Sequence, residues 1–216
     1  MNTALKYGPT SLDQFVFANP ELKDQIDRYA SGSSMSPLVL YGPHGTGKST
    51  LAKLIPEAID GKNVIVNKVK ASTLNSEKEV LDKFTRHQAF DNLFVHGGQS
   101  RNYTVIEEVN FEAKASDALR VAMDQMLGTD LFIFTTNNLS KVDSGLFSRA
   151  TQIEVPPIAP ADFIQKALHI LKSEGVAMDP DQVLEVLESV YELYGDNRKY
   201  YDALDDLIWK VQRQKF

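Results

Sequence analysis

YGPHGTGKST (Tyr41–Thr50) follows the apolar run PLVL (37–40) and precedes LAKLI (51–55), so a glycine-rich turn joins an expected strand to an expected helix. Gly42, then Gly47, Lys48 and Ser49, satisfy the spacing G-x-x-x-x-G-K-[ST] of a phosphate-cradling loop. Glycines let the backbone curl until successive N–H groups point at one anion, and the following helix adds its positive end. This assigns nucleotide binding to Gly42, Gly45, Thr46, Gly47, Lys48, Ser49 and Thr50. Lys48 would reach the outer phosphates, and the Ser49 hydroxyl would face Mg²⁺. ATP and Mg²⁺ are therefore the expected ligands.

Outward from this loop, β-like runs at 37–41, 63–69, 103–107, 131–136 and 151–155 alternate with amphipathic segments. Asn19-Pro20 and the box Ser76-x-x-Glu79 read as helix starts. That rhythm predicts an α/β fold with a five-stranded parallel sheet flanked by helices, with ligands at the carboxyl ends of the strands. VPPIAP (155–160) ends the strand pattern, because clustered prolines extend neither a central strand nor a helix. Only helical patterns follow, at 161–173, about 180–193 and 197–214. The expected organisation is an α/β domain over 1–157 and a small all-helical domain over 158–216.

Composition narrows the class. Cysteine is absent and only four His occur among 216 residues, which excludes disulfides and thiolate metal sites. No run approaches the roughly 20 apolar residues that span a bilayer, and MNTALKYGPT lacks the apolar centre of a signal peptide. A cytoplasmic protein without membrane partners is expected. The net charge of −6 argues against coating of the whole surface by nucleic acid and still allows a local basic face. Lys70, Lys78, Lys83, Arg86 and Arg101 are the candidates for one.

Two further signals carry chemistry. YTVIEEV ends an apolar strand in Glu107 and Glu108, which suits the acidic side of a phosphate-loop site. The first carboxylate would hold Mg²⁺ through water, and the second would orient and deprotonate the attacking water. LFIFTTNN ends a strand in Asn137, and LFSRA places Arg149 just before TQIEV.

The ordered set of phosphate loop, VIEE, FTTNN, SRA and GDNR resembles an AAA+ ATPase. Within that superfamily it is most similar to the clamp-loader group, the small subunits of replication factor C and the phage clamp-loader ATPases. KYGPTSLDQFV, SKVDSGLFSRA, ILKSEGVAMDPDQVLEVLE and YGDNRKYYDALDDLI extend the likeness over residues 4 to 212. The resemblance implies that Asn137 is a sensor aligning the attacking water. It makes residues 1–157 an ATPase domain and 158–216 a helical lid, Arg149 a finger reaching the γ-phosphate of a neighbouring subunit, and Arg198 a second sensor on that lid. Tyr7 and Pro9 would pass near the adenine. It further implies a homo- or hetero-oligomer of AAA+ subunits acting in DNA replication, with DNA and a sliding clamp as partners. A nucleotide-dependent scaffold or switch and a viral-type replication helicase are the alternatives.

Three departures stand out. Glu107 occupies a position the family fills with Asp, which moves the carboxylate about 1.3 to 1.5 Å outward. Gly8 replaces an arginine of the opening motif. The family's third, helical collar domain is not among these residues, so either it has been cut away or the chain is a minimal relative that assembles by its ATPase domains.

Overall fold

The computed structural model describes residues 2–74, 76–80, 82, 84, 101–109, 113–126 and 128–213. Its described residues form strands β1 (Leu38–Tyr41), β2 (Val66–Lys70), β3 (Asn102–Glu107), β4 (Asp130–Thr136) and β5 (Thr151–Glu154). These pair in the order β2-β3-β4-β1-β5, and every pairing is parallel. The strand after the phosphate loop in sequence thus goes to an edge, and two later strands enter beside β1. β4 is buried along its whole length, as its unbroken apolar run requires of a strand covered on both faces.

Chain contacts divide the protein into two compact units. The first is Asp24–Gly42 with Lys48–Glu154 and contains the sheet. Helix α3 (Lys48–Asp60) packs on β1, β3 and β4, the fold's earlier helices being α1 (Thr3–Tyr7) and α2 (Pro20–Ala30). α2 starts where the sequence predicts, with Asn19 Oδ1 accepting the Leu22 N–H at 2.7 Å. Helix α4 (Ala113–Gln125) contributes Leu119 and Met123 to a cluster with Val39, Ile106, Phe132 and Phe134. Strand side chains alternate between faces, so Leu131 and Ile133 of β4 are buried on the opposite side. The short helix α5 (Ser144–Phe147) is capped by Asp143, whose Oδ1 accepts from Gly145 and Leu146 N–H.

The second unit comprises Met1–Lys23, Pro43–Gly47 and Val155–Phe216. Helices α6 (Pro160–Ser173), α7 (Pro180–Tyr194) and α8 (Asn197–Arg213) build it, and α1 packs on α8. Phe163, Ala167 and Ile170, then Val183 and Leu187, then Tyr200, Leu204 and Ile208 recur at helical spacing and meet in one core. Asp179 caps α7 ahead of Pro180, and Gly195 ends it in the left-handed conformation at φ 56°. The amino terminus is tied down by Thr3, whose N–H donates to Asp205 Oδ1 at 3.1 Å and whose hydroxyl donates to the Tyr201 carbonyl at 3.1 Å. No described helix is long and apolar enough to cross a membrane.

Candidate nucleotide site

β1 delivers the chain into the loop, and α3 begins at Lys48. Gly42, Gly45 and Gly47 all have positive φ, at 144°, 73° and 101°. Space at Gly45 and Gly47 also disfavours a side chain. A Cβ at Gly45 would strike the Asp196 carboxylate, and one at Gly47 would lie 2.9 Å from the Phe15 ring. Lys48 is 7% exposed, and its ammonium donates to the Gly42 carbonyl at 2.9 Å, so the cation folds back across the turn. Ser49 and Thr50 follow in the first turn of α3. A curled backbone that only glycine tolerates, with a sequestered cation and a helix start, fits a polyphosphate.

The sheet order places the other predicted groups of this unit at neighbouring strand ends. β3 ends in Glu107, β4 ends in Thr136 just before Asn137, and β1 runs into Gly42; the three strands are adjacent and parallel. Glu107 is half-buried, whereas Glu108 and Asn137 are exposed. Glu108 is the one non-glycine residue with positive φ among the described residues, at 58°. Left-handed backbone is costly for a residue with a Cβ, and its persistence requires neighbours that hold it. Two threonines do so. The Glu108 N–H donates to Thr135 Oγ1 at 3.4 Å, and the Val109 N–H to the Thr135 carbonyl at 2.9 Å. The Thr136 hydroxyl contacts the carbonyls of Val109 and Asn138 at 3.3 and 3.1 Å, and it accepts the Asn138 N–H at 3.1 Å. Thr135 and Thr136 are therefore positioning residues that the sequence reading did not single out. Ser49 and Glu107 are the oxygen donors that could hold a Mg²⁺ bound otherwise by phosphate and water.

Arg149 follows α5 and is held at the surface by Asp124 of α4. Its Nε and Nη2 donate to the two carboxylate oxygens at 2.9 and 3.1 Å, and its Nη1 donates to the Gly145 carbonyl at 3.0 Å. The guanidinium bonds hold the Asp124 carboxyl below its ordinary range. In this single chain the guanidinium faces an aspartate.

In the helical unit, Arg198 lies in the first turn of α8 and forks onto Asp196, with Nε at 3.1 Å from Oδ1 and Nη2 at 2.7 Å from Oδ2. The Asp196 carboxylate also accepts the Arg198 N–H at 2.9 Å. Burial pushes this carboxyl up, but the bonds from Arg198 and the charges of Arg198 and Lys199 outweigh it and leave it lowered. Tyr7 packs against the helical core, and its hydroxyl donates to Glu174 Oε1 at 2.6 Å. Pro9 is half-buried nearby in sequence.

The described residues of the basic series differ in exposure. Lys70 and Lys78 are exposed, with Lys78 between Glu77 and Glu79. Arg101 is half-buried and donates from Nη2 to the Gly32 carbonyl at 3.3 Å. Lys83 and Arg86 lie outside the described residues.

With this geometry in hand, residues 38–157 match the family described as "ATPase family associated with various cellular activities (AAA)". The chain belongs to the AAA ATPase family. Among curated proteins this AAA chain is 27% identical over 206 residues to replication factor C small subunit 1 of Pyrobaculum arsenaticum, covering 92% of its own length and 59% of the relative's. It is 28% identical over 207 residues to the replication factor C small subunit of Sulfolobus acidocaldarius, covering 93% of its own length and 61% of that protein's. The AAA fold is matched by two mutants of RuvB from Thermotoga maritima, each at a TM-score of 0.70. They are 16% and 15% identical, and each match covers 95% of this chain and 65% of the other.

Proposed function

We propose that this AAA chain binds and hydrolyses ATP as a clamp-loader-like subunit acting in DNA replication within an oligomer. Residues 1–157 serve as the ATPase domain and 158–216 as the lid. The observation that carries the reading is the alignment at one end of the sheet of Gly42 after β1, Glu107 at the end of β3 with Glu108 next to it, and Asn137 directly after β4. Similarity to replication factor C small subunits supports the replication role and the partners, which are other AAA+ subunits, DNA and a sliding clamp.

The residues divide the work as phosphoryl transfer requires. Charge spreads over the γ-oxygens in the transition state, so positioning and cations dominate. The loop amides and Lys48 hold the phosphates. Ser49 and Glu107 would hold Mg²⁺, which when bound would supply positive charge against the negative charge that develops on the phosphate. Glu108 takes the proton of the attacking water, and Asn137 helps align that water. Arg149 serves the site of a neighbouring subunit and must leave Asp124 to do so. Arg198 serves its own site and must leave Asp196. Both arginines have an intramolecular aspartate to exchange for phosphate, which supports a low rate in the isolated chain and a higher one on assembly.

Titration with a fluorescent ATP analogue tests the reading. Lys48→Ala removes a fixed cation and its charge-assisted bonds. A loss of at least about thirtyfold in affinity, equal to about 2 kcal/mol, is expected. Equal affinity in parent and variant would refute the phosphate-loop assignment. DNA-stimulated turnover in the parent supports loading, whereas ATP binding with no stimulation by primed DNA and clamp contradicts it.

A further inference from the structure

Asn197 opens α8 and is 7% exposed, in a turn whose neighbours Asp196 and Arg198 are already engaged with each other. Its carboxamide makes two buried hydrogen bonds of opposite sense. Oδ1 accepts the Ile158 N–H at 3.0 Å, and Nδ2 donates to the Thr46 carbonyl at 3.2 Å. A side chain that must accept on one side and donate on the other is served by an amide and by neither a carboxylate nor an alkyl group.

The bond to Thr46 acts on the loop itself. The Thr46–Gly47 peptide is trans, so its carbonyl and its N–H point in opposite directions. Tying the carbonyl to α8 aims the Gly47 N–H away from α8. The peptide has little freedom to turn back. Thr46 is 1% exposed, with its hydroxyl donating to the Pro43 carbonyl at 3.2 Å, and Gly47 abuts Phe15. Gly45, one residue earlier, meets the Asp196 carboxylate of the same turn.

We propose that Asn197 is a positioning residue for phosphate binding, a side chain of the lid helix that sets the Thr46–Gly47 peptide so that the Gly47 N–H is presented to a phosphate oxygen. This rests on the phosphate-loop reading above. A nucleotide that pulls on this amide also pulls on α8 through one side chain, so lid and loop respond together.

Two variants of the full chain test it, each measured for affinity toward a fluorescent ATP analogue and for folding by circular dichroism. Asn197→Leu leaves the Thr46 carbonyl unpaired and frees the peptide to rotate. It is expected to bind at least about tenfold more weakly, the effect of losing one buried amide partner. Asn197→Asp keeps the acceptor for Ile158 but, when ionised, presents a carboxylate to the Thr46 carbonyl. It is expected to bind weakly at pH 8. Burial raises a carboxyl pKa, and the protonated acid can donate to Thr46. Affinity relative to the parent is thus expected to recover several-fold as pH falls to about 5.5. The parent and Asn197→Leu carry the same nucleotide phosphates and the same His44, Asp196, Arg198 and Lys199, so they supply the baseline at each pH.

Recovery confined to Asn197→Asp supports the proposal, because a side chain that merely packs would not give it. A folded Asn197→Leu that binds within about twofold of the parent overturns it, as does an Asn197→Asp whose pH profile parallels the parent's. Should Asn197→Leu fail to fold, the Asp variant decides alone. A parent that binds no nucleotide, indistinguishable from Lys48→Ala, overturns the phosphate-loop reading and this proposal with it.

Discussion

Glu108 combines a catalytic assignment with a backbone that its own side chain disfavours, and the two can be separated by substitution. At φ 58° an L-residue bears roughly 1–2 kcal/mol of local cost, which glycine avoids. Glycine in turn loses about 0.5–1 kcal/mol through the greater freedom of its unfolded chain. The net expectation for Glu108→Gly is a gain of about 0.5–1 kcal/mol. For a chain of this size that is a rise of roughly 1–4 °C in Tm. Because the Glu108 side chain is exposed, little packing is lost with it. Glu108→Ala and Glu108→Gln both remove the charge beside Glu107 but retain the Cβ, so their Tm should stay within about 1 °C of the parent's. All three should bind ATP and lose turnover, since none can accept the proton of the attacking water. Thermal unfolding followed by circular dichroism, with phosphate release measured alongside, gives both results. If Glu108→Ala gains as much as Glu108→Gly, charge relief explains the stability and not backbone conformation. If Glu108→Gln keeps turnover within a fewfold of the parent, Glu108 is not the base.

Burial raises the Tyr201 phenol to about 12 and also pushes Tyr200 up. A raised folded pKa gives stability that is intact below the unfolded value near 10 and is lost as pH climbs toward 12. The helical unit should therefore loosen between about pH 10 and 12, with part of the tyrosinate absorbance rising later than that of free tyrosine, and a single transition with its midpoint near pH 10 for all the tyrosines would contradict this. Asp124→Asn releases the fork on Arg149 and should leave ATP affinity unchanged while raising assembled turnover by no more than about fivefold, the ceiling for an exposed pair. A fall in turnover would mean that Asp124 positions the arginine instead of competing for it.

Much of this fold is legible in the sequence because its signals are local. The apolar runs became strands within a few residues of their expected ends, Asn19 caps α2 as its place before Pro20 predicts, and the Glu79 N–H donates to Ser76 Oγ at 3.3 Å. The strand order was not legible, since periodicity shows that a strand exists and not which neighbour it takes. The candidate site divides along the same line. Gly42, Gly47, Lys48 and Ser49 are recognised by spacing. Thr135 and Thr136 hold the backbone at Glu108–Val109 and at Asn138 through bonds spanning 27 and 2 residues, and Asp124 reaches Arg149 over 25. Nothing in the local pattern of a buried strand or an amphipathic helix reports such pairings. Asp196 carried a readable signal, a short acid just before a helix. That its carboxylate would lie against Gly45 was not readable, because the contact depends on how α8 meets a loop 151 residues earlier.

The claim that matters most is that a complete hydrolytic centre takes Lys48 and Glu108 from one chain and Arg149 from the next. Mixing Arg149→Ala with Glu108→Gln chains measures this most directly. An arginine finger contributes on the order of 10³ to 10⁵ in rate, so each variant alone should be nearly inactive while binding ATP as the parent does. In an equal, random mixture half the chains carry Glu108, and half of those abut a chain carrying Arg149. Head-to-tail interfaces then restore about one quarter of the parent's turnover. A mixture that co-assembles by mass measurement and yet stays as inactive as its components would contradict the shared centre.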